Sequence, residues 1–250
     1  MIKVSIIIPV FNEEGTLEQL LNLVSRQKFE EIEVMKEVLV IDNGSTDESS
    51  LIAQSFCQRH KDFSLIRIEE NVGKGNALKC GYSASTGDIF IVQDADLEYD
   101  PNDYEKLIAP IIREETKFVL GVRVATESRT QWQIRNIRHE RIYGFFLNIG
   151  GEILSAMINL LYGSHISDQA SMYKVIHKDL LKLITLESDG FDLEVEMICK
   201  FLRKGFHPLE IPVNYNARSR KDGKKIRVIR DGLSFLRVIF RYRVKPLKAL

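Results

Sequence analysis

Through the first half of the chain, short apolar runs alternate with longer amphipathic stretches, and no other feature restricts the possible folds as severely. A short apolar run bounded by turns reads as a buried strand, and strands separated by helical stretches build βαβ units around a largely parallel sheet. Strands are predicted at residues 4–10, 37–41, 64–68, 88–93 and 118–122, with helices near 15–26, 49–60, 75–85 and 103–114. A helix at 193–204 and a strand at 208–215 follow. No internal repeat and no Gly/Ser/Pro linker divides the 250 residues, so an α/β unit with a Rossmann-like, mostly parallel central sheet flanked by helices is expected.

Hydrophobic residues make up 44% of the chain and charged residues 28%, which excludes a disordered or collagenous protein. Cys57, Cys80 and Cys199 are too scattered for a disulfide framework or a paired CxxC site, and a reducing compartment is expected. The N-terminus reads as a strand with no secretory signal pattern. Residues 141–161, RIYGFFLNIGGEILSAMINLL, approach transmembrane length but carry Asn148, Gly150, Gly151, Glu152 and Asn159. A spanning helix would have to hide Glu152, so this segment is expected to lie against a core or a bilayer surface.

Charge is unevenly placed. Residues 1–120 carry 12 Lys and Arg against 22 Asp and Glu, whereas residues 203–250 carry 14 against 3. The basic end calls for an anionic partner: nucleic acid, a membrane surface or a phosphorylated substrate. No aromatic stacking motif accompanies it, which argues against nucleic acid. Residues 231–242 place Leu233, Leu236, Ile239 and Phe240 at helical spacing beside Arg230, Arg237, Arg241 and Arg243, a basic amphipathic helix suited to a membrane surface or a partner.

In open α/β sheets ligands bind beyond the carboxyl ends of the strands, and four such ends are unusually polar here. They are Pro9-Val10-Phe11-Asn12-Glu13-Glu14, Asp42-Asn43-Gly44-Ser45-Thr46-Asp47, Asn71-Val72-Gly73-Lys74-Gly75 and Asp94-Ala95-Asp96. Asp94 and Asp96 supply the carboxylates that a hard divalent cation takes together with phosphate oxygens. Gly73-Lys74-Gly75 can approach phosphates through backbone N–H groups and a lysine. It is neither a Walker A loop nor a dinucleotide fingerprint. Ser45 or Thr46 can cap the following helix. His60, His139, His165, His177 and His207 share no spacing, and none is assigned to metal.

The ordered set VSIIIPVFNEEGTL, VLVIDNGSTDES, NVGKGNAL and DIFIVQDADLEYDP resembles the family 2 glycosyltransferases with the GT-A fold. The segments SDQASMYKV, GFDLEVEM and EIPVNYNARSRKDGKKI resemble the branch of dolichol-phosphate mannosyltransferase and the polyprenyl-phosphate glycosyltransferases. The resemblance covers residues 3–230 and implies a catalytic domain over 1–230, followed by the basic helix of 231–250. It implies an inverting transfer of a glucose- or mannose-type sugar from a UDP- or GDP-sugar, assisted by Mg²⁺ or Mn²⁺. Pro9, Phe11 and Glu13 would line the nucleotide pocket, Asp42 and Asn43 would meet base or ribose, and Asp94 and Asp96 would hold the metal. The family usually has two aspartates where this chain has Asp42-Asn43. Asn both donates and accepts, which suits uracil better than guanine.

A lipid phosphate acceptor needs cations rather than a general base, because a phosphate monoester with a second pKa of about 6 is largely dianionic at neutral pH. In the resembling branch Arg123 and Arg218 would face that phosphate; Arg141, Lys224 and Lys225 are further candidates, with Arg135 and Arg138 nearby. Asp168 and Glu194 are candidates for acceptor activation or sugar contact, and Trp132 for a sugar platform or an interfacial anchor. Three functions follow: a sugar transferase on the cytoplasmic face of a membrane acting on a polyprenyl or dolichyl phosphate, a transferase to a soluble glycan, or a non-catalytic nucleotide-sugar scaffold. The intact D-x-D argues against the third, and the arginine-rich acceptor region favours the first. Many relatives in this branch carry transmembrane helices after the catalytic domain, and this sequence has no apolar run of that length, so docking by amphipathic and basic surfaces or a membrane partner subunit is expected.

Overall fold

A strand covered on both faces must be apolar at nearly every position, and β1 (Ile2–Val10) is buried from Val4 through Val10. The computed structural model describes residues 1–29, 32, 34–125, 141–218 and 228–246. After β1 come α1 (Leu17–Ser25), β2 (Val34–Asn43), α2 (Ser49–Arg59), β3 (Phe63–Ile68), α3 (Lys74–Ala84), β4 (Ile89–Val92), α4 (Tyr104–Ile112) and β5 (Phe118–Ala125). The second half supplies α5 (Arg141–Tyr162), β6 (Lys174–His177), α6 (Lys178–Leu181), α7 (Leu193–Arg203), β7 (Leu209–Tyr215) and α8 (Val228–Val244). The seven strands form one sheet in the order β3-β2-β1-β4-β6-β5-β7.

Strands β1 to β4 pair in parallel, as does β5 with β7. The expected mostly parallel sheet is therefore present. Strand β6 was not expected: KVIH is four residues long and shows no periodicity of its own. It runs antiparallel to both β4 and β5, with Ile91 opposite Val175 and Leu120 opposite Lys174. That insertion brings the start of β6 to the same sheet edge as the ends of β1, β2, β4, β5 and β7. Every polar strand ending therefore meets at one place.

Helix α5 has a buried side at Leu147, Leu154 and Ile158 and an outward side at Phe145, Ile153 and Leu160. Glu152 lies on the exposed side, so the helix lies on the protein, as its sequence suggested. Among the described residues no helix is long and apolar enough to cross a membrane. Helix α8 buries Val238, Ile239 and Tyr242, while Arg203 donates to the carbonyls of Tyr242 and Lys245. Ile239 thus belongs to the core and not to an outer stripe with Leu233 and Phe240, which are exposed. The expected boundary at residue 230 falls inside α8.

The glycine loop before α3 shows why glycine is needed there. Gly73 has φ 138°, and a Cβ at that position would lie 2.3 Å from the carbonyl oxygen of Asp189. A Cβ on Gly75 would lie 2.7 Å from that of Gly190. These glycines let the loop pack on the 189–190 backbone, and the N–H of Asn76 donates to Asp189 O at 3.1 Å. The glycines thus serve a close approach between the two halves of the chain. Replacing Gly73 with Ala is expected to cost about 3 kcal/mol, since it adds left-handed strain to a backbone clash; a urea unfolding curve measures the loss.

Candidate active site

The polar loops hold one another in place. The N–H of Asn12, a residue at φ 50°, donates to Ser45 Oγ at 3.1 Å, and its Oδ1 accepts from the N–H of Thr46 at 2.8 Å. Glu13 N–H donates to Ser49 Oγ at 2.8 Å, and Thr16 Oγ1 donates to the carbonyl of Ala95 at 2.7 Å. The D-x-D turn is thereby tied to the first loop. Next to it Leu97 sits at φ 60°, and the Asp96 carboxylate accepts from Glu98 N–H at 3.1 Å.

A cleft of about 550 Å³ opens at this edge. Of the residues expected from sequence, Pro9, Phe11, Glu13, Asn43, Lys74 and Asp94 line it, together with Asp96, Arg123, Glu194 and Arg218. Asp42 does not. Its side chain is 2% exposed, accepts from Ser45 N–H at 3.0 Å and lies 3.7 Å from Arg67, so it braces the turn behind the wall. Asp168 is not among the lining residues either. Its carboxylate is clamped by Arg123, with Nε to Oδ2 at 2.7 Å and Nη2 to Oδ1 at 2.6 Å, both side chains buried. Both of its carboxylate oxygens are engaged by that cation, which they orient. Arg141 begins α5, but its side chain lies outside the described residues, as do Lys224, Lys225, Arg135, Arg138 and Trp132.

Electrostatics bind the two walls together. Lys74 Nζ lies 2.5 Å from Asp94 Oδ1 and 3.8 Å from Glu194 Oε1. Burial pulls the Lys74 ammonium down, but the carboxylates of Asp94, Glu194 and Asp96 outweigh it and hold its pKa above the ordinary value. Arg218 bridges Glu13 Oε2 and Asp96 Oδ2, each at 3.1 Å, so it stands on the acidic side of the cleft. Burial, with Asp94 and Glu98 beside it, pushes the Asp96 carboxyl up to about 7, against the pull of Arg218. Among the described residues no group of three or more His, Cys, Asp or Glu side chains encloses an ion. Mg²⁺ and Mn²⁺ do not require one: one or two carboxylates with phosphate oxygens and water suffice, and the crowded negative charge at Asp94 and Asp96 suits such a cation.

Several lining residues gave no signal in the sequence reading. Glu98 Oε2 accepts from Tyr215 OH at 2.8 Å, and the Tyr215 ring lies 5.1 Å from the Arg123 guanidinium. Tyr99 packs against Tyr173 and Tyr215 with its ring tilted to both and accepts from Met172 N–H at 2.9 Å. Met172, Phe191 and Phe235 give the cleft an apolar part. Behind it Lys174, buried on the unexpected β6, lies 3.5 Å from Glu194 Oε2, and burial lowers its pKa.

The sequence profile of Glycosyl transferase family 2 matches residues 5–184. The chain belongs to that family. It is 27% identical over 180 residues to the undecaprenyl-phosphate 4-deoxy-4-formamido-L-arabinose transferase of Proteus mirabilis, covering 72% of this chain and 50% of that one. It is 27% identical over 224 residues to the dolichol-phosphate mannosyltransferase of Pyrococcus furiosus, covering 89% and 59%. The chain thus spans 50% and 59% of the length of these two relatives. Glucosyl-3-phosphoglycerate synthase from Mycobacterium tuberculosis, solved with Mn²⁺, UDP and glucosyl-3-phosphoglycerate, superposes with TM-score 0.69 at 16% identity, over 98% of this chain and 81% of that one. The same enzyme has been solved with Mg²⁺ and UDP, at TM-score 0.69. The expected GT-A fold is present.

Asn43 is held on its donor side. Asn43 Nδ2 donates to Asn71 Oδ1 at 2.9 Å and to Gly73 O at 3.2 Å, so its donor group is engaged within the protein. Its Oδ1 is buried without a hydrogen-bond partner and faces the cleft wall as an acceptor. Asn43→Asp is therefore expected to lower affinity for UDP and GDP alike, about tenfold, by breaking two loop contacts. Calorimetry with both nucleotides checks this; a changed ratio would restore the discriminating role.

Proposed function

We propose that the protein transfers a hexose from a nucleoside diphosphate sugar, UDP-linked or GDP-linked, to a polyprenyl or dolichyl phosphate at a membrane surface. One observation carries the reading. Arg123, locked by Asp168, joins Met172, Phe191 and Phe235 in a cleft that also holds the D-x-D carboxylates. A cation beside apolar side chains fits a lipid phosphate better than a glycan hydroxyl. The two catalogued transferases it resembles are named for undecaprenyl and dolichol phosphates, which supports the same acceptor class.

The chemistry follows from the residues. Asp94 and Asp96 would hold Mg²⁺ or Mn²⁺, which as a Lewis acid neutralises the leaving diphosphate. Pro9, Phe11 and Asn43 bind the nucleoside part, with Asn43 Oδ1 accepting from a base N–H. Lys74, held by Asp94, adds a fixed positive charge near the diphosphate. Arg123 orients the acceptor phosphate, whose oxygen attacks the anomeric carbon as a dianion and needs no general base. Arg218, paired with Asp96 and Glu13, would share those carboxylates with a bound divalent cation and is, with Arg123, a second candidate for holding the acceptor phosphate.

The outward stripe of α8 fits the membrane. Leu233, Phe240 and Val244 are exposed and recur at helical spacing, with Arg230, Arg237 and Arg241 exposed beside them. An apolar strip edged by arginines suits the headgroup region of an anionic bilayer.

Two outcomes are expected. Asp96→Ala should lower transfer by about 10²–10³-fold with the fold intact, as should EDTA, because the leaving group loses its electrostatic support. A radiolabelled UDP- and GDP-sugar assay into a lipid-phosphate fraction reads both the acceptor class and the metal requirement, and equal transfer with EDTA and with Mg²⁺ would remove the metal. The Leu233→Ser/Phe240→Ser double variant should float with anionic vesicles less than the parent protein, and parent binding should fall steeply with salt. Truncating α8 is the wrong test, because it also exposes the core around Val238, Ile239 and Tyr242.

A further inference from the structure

Gln169 lines the cleft and has no part in the mechanism above. Its side chain is 1% exposed, and neither Oε1 nor Nε2 makes a hydrogen bond. Buried carboxamides are almost always satisfied, and an unsatisfied one is a standing penalty on the folded state. Its neighbours cannot relieve it: Asp168, one residue earlier, is committed to Arg123. A second group in the same cleft also lacks a hydrogen bond, although it is ion-paired. Glu194 Oε1 is buried without a hydrogen bond, 3.8 Å from Lys74 Nζ, while its Oε2 lies 3.5 Å from Lys174 Nζ.

The two groups together select a ligand chemistry. A phosphate offers only acceptors, so it would satisfy the amide N–H of Gln169 but meet repulsion at Glu194. A hydroxyl both donates and accepts, so it satisfies a carboxylate oxygen and either end of a carboxamide. We infer that Gln169, with Glu194, forms a subsite that reads hydroxyl groups of the transferred sugar, and that Gln169 is a specificity-determining residue. This rests on the transferase reading given above. It extends that reading to the residue that selects among sugars of similar size, since a site built around buried polar groups rejects an analogue that leaves them unpaired.

The penalty gives the inference a signature that a structural glutamine would lack. Gln169→Met keeps the length of the side chain and removes both unpaired polar atoms. Without ligand it should melt about 2–4 °C higher than the parent. In calorimetry with Mn²⁺, its affinity for UDP-glucose and GDP-mannose should fall about tenfold, while affinity for the matching bare UDP or GDP stays within about twofold. A lower melting temperature for Gln169→Met would overturn the inference, as would equal losses for sugar nucleotide and bare nucleotide. Gln169→Leu, which likewise removes both unpaired polar atoms, repeats both measurements, and the same outcomes overturn the inference. A parent protein that binds neither UDP nor GDP would instead bring down the transferase reading, so the two failures are told apart.

Discussion

The contact between Lys74 and Asp94 joins the glycine loop before α3 to the end of β4, and the rest of the cleft is arranged around the charge that such contacts balance. Glu13, Asp94, Asp96 and Glu98 come from the first half of the chain. Arg123, Lys174 and Arg218 come from β5, β6 and the turn after β7. Carboxylates cannot be gathered at the end of a sheet without cations close by, because removing one partner of a buried ion pair costs about 3–5 kcal/mol. The second half of the fold therefore does more than cover the sheet. Through Arg218 it delivers positive charge to Glu13 and Asp96, which come from the first half, and the imbalance between acidic N-terminal and basic C-terminal stretches has part of its physical reason here.

The framework was legible because a parallel sheet imposes a pattern no other fold class shares: IKVSIIIPV and IFIV can be nothing but buried strands when helical stretches separate them. The polar endings were legible for the same reason, since parallel strands put their ends on one edge. What could not be read was the direction in which each polar side chain faces. Asp42 and Asn43 are adjacent at the end of β2, yet one braces a turn and the other lines the cleft. Strand alternation separates them only once the register is known. Asp168 reads as a candidate base until Arg123 is found 45 residues away in sequence with both its carboxylate oxygens in hand. β6 escaped notice because four residues carry too little periodicity, although it sets the antiparallel insertion that brings Lys174 to Glu194.

Helix α8 shows the limit of spacing arguments in another form. Leu233, Leu236, Ile239 and Phe240 satisfy helical spacing as a set, but a helix resting on α5 and α7 has two apolar edges. Ile239, Val238 and Tyr242 take the inner one, where Tyr162 OH donates to Ile239 O at 2.6 Å. Leu233 and Phe240 take the outer one. Its anchoring is electrostatic as well: Glu187 lies 2.5 Å from Lys245 and 3.0 Å from Arg241. Basic residues counted from sequence as one surface are divided between holding the helix down and facing outward. Phe235, on the same helix, lines the cleft, and Ser234 Oγ donates to Asp192 Oδ2 at 2.7 Å. One helix thus touches the core, the cleft and the solvent.

The polar atoms left without partners decide what the scaffold is for. Asn43 Oδ1, Glu194 Oε1 and the Gln169 carboxamide all line one cleft, and the carboxamide, which makes no hydrogen bond, would be cheaper as an apolar side chain of the same shape if stability alone were selected. The sheet tolerates them because its core is large and the neighbouring pairs, Lys74 with Asp94 and Arg123 with Asp168, keep the walls rigid. Unsatisfied groups in a mobile wall would turn to water or to each other. Held on rigid strand ends, they keep their positions and await hydrogen-bonding groups from a ligand. The rigid ion pairs and the unpaired amides are therefore two parts of one arrangement, in which the first supplies the geometry and the second the selectivity.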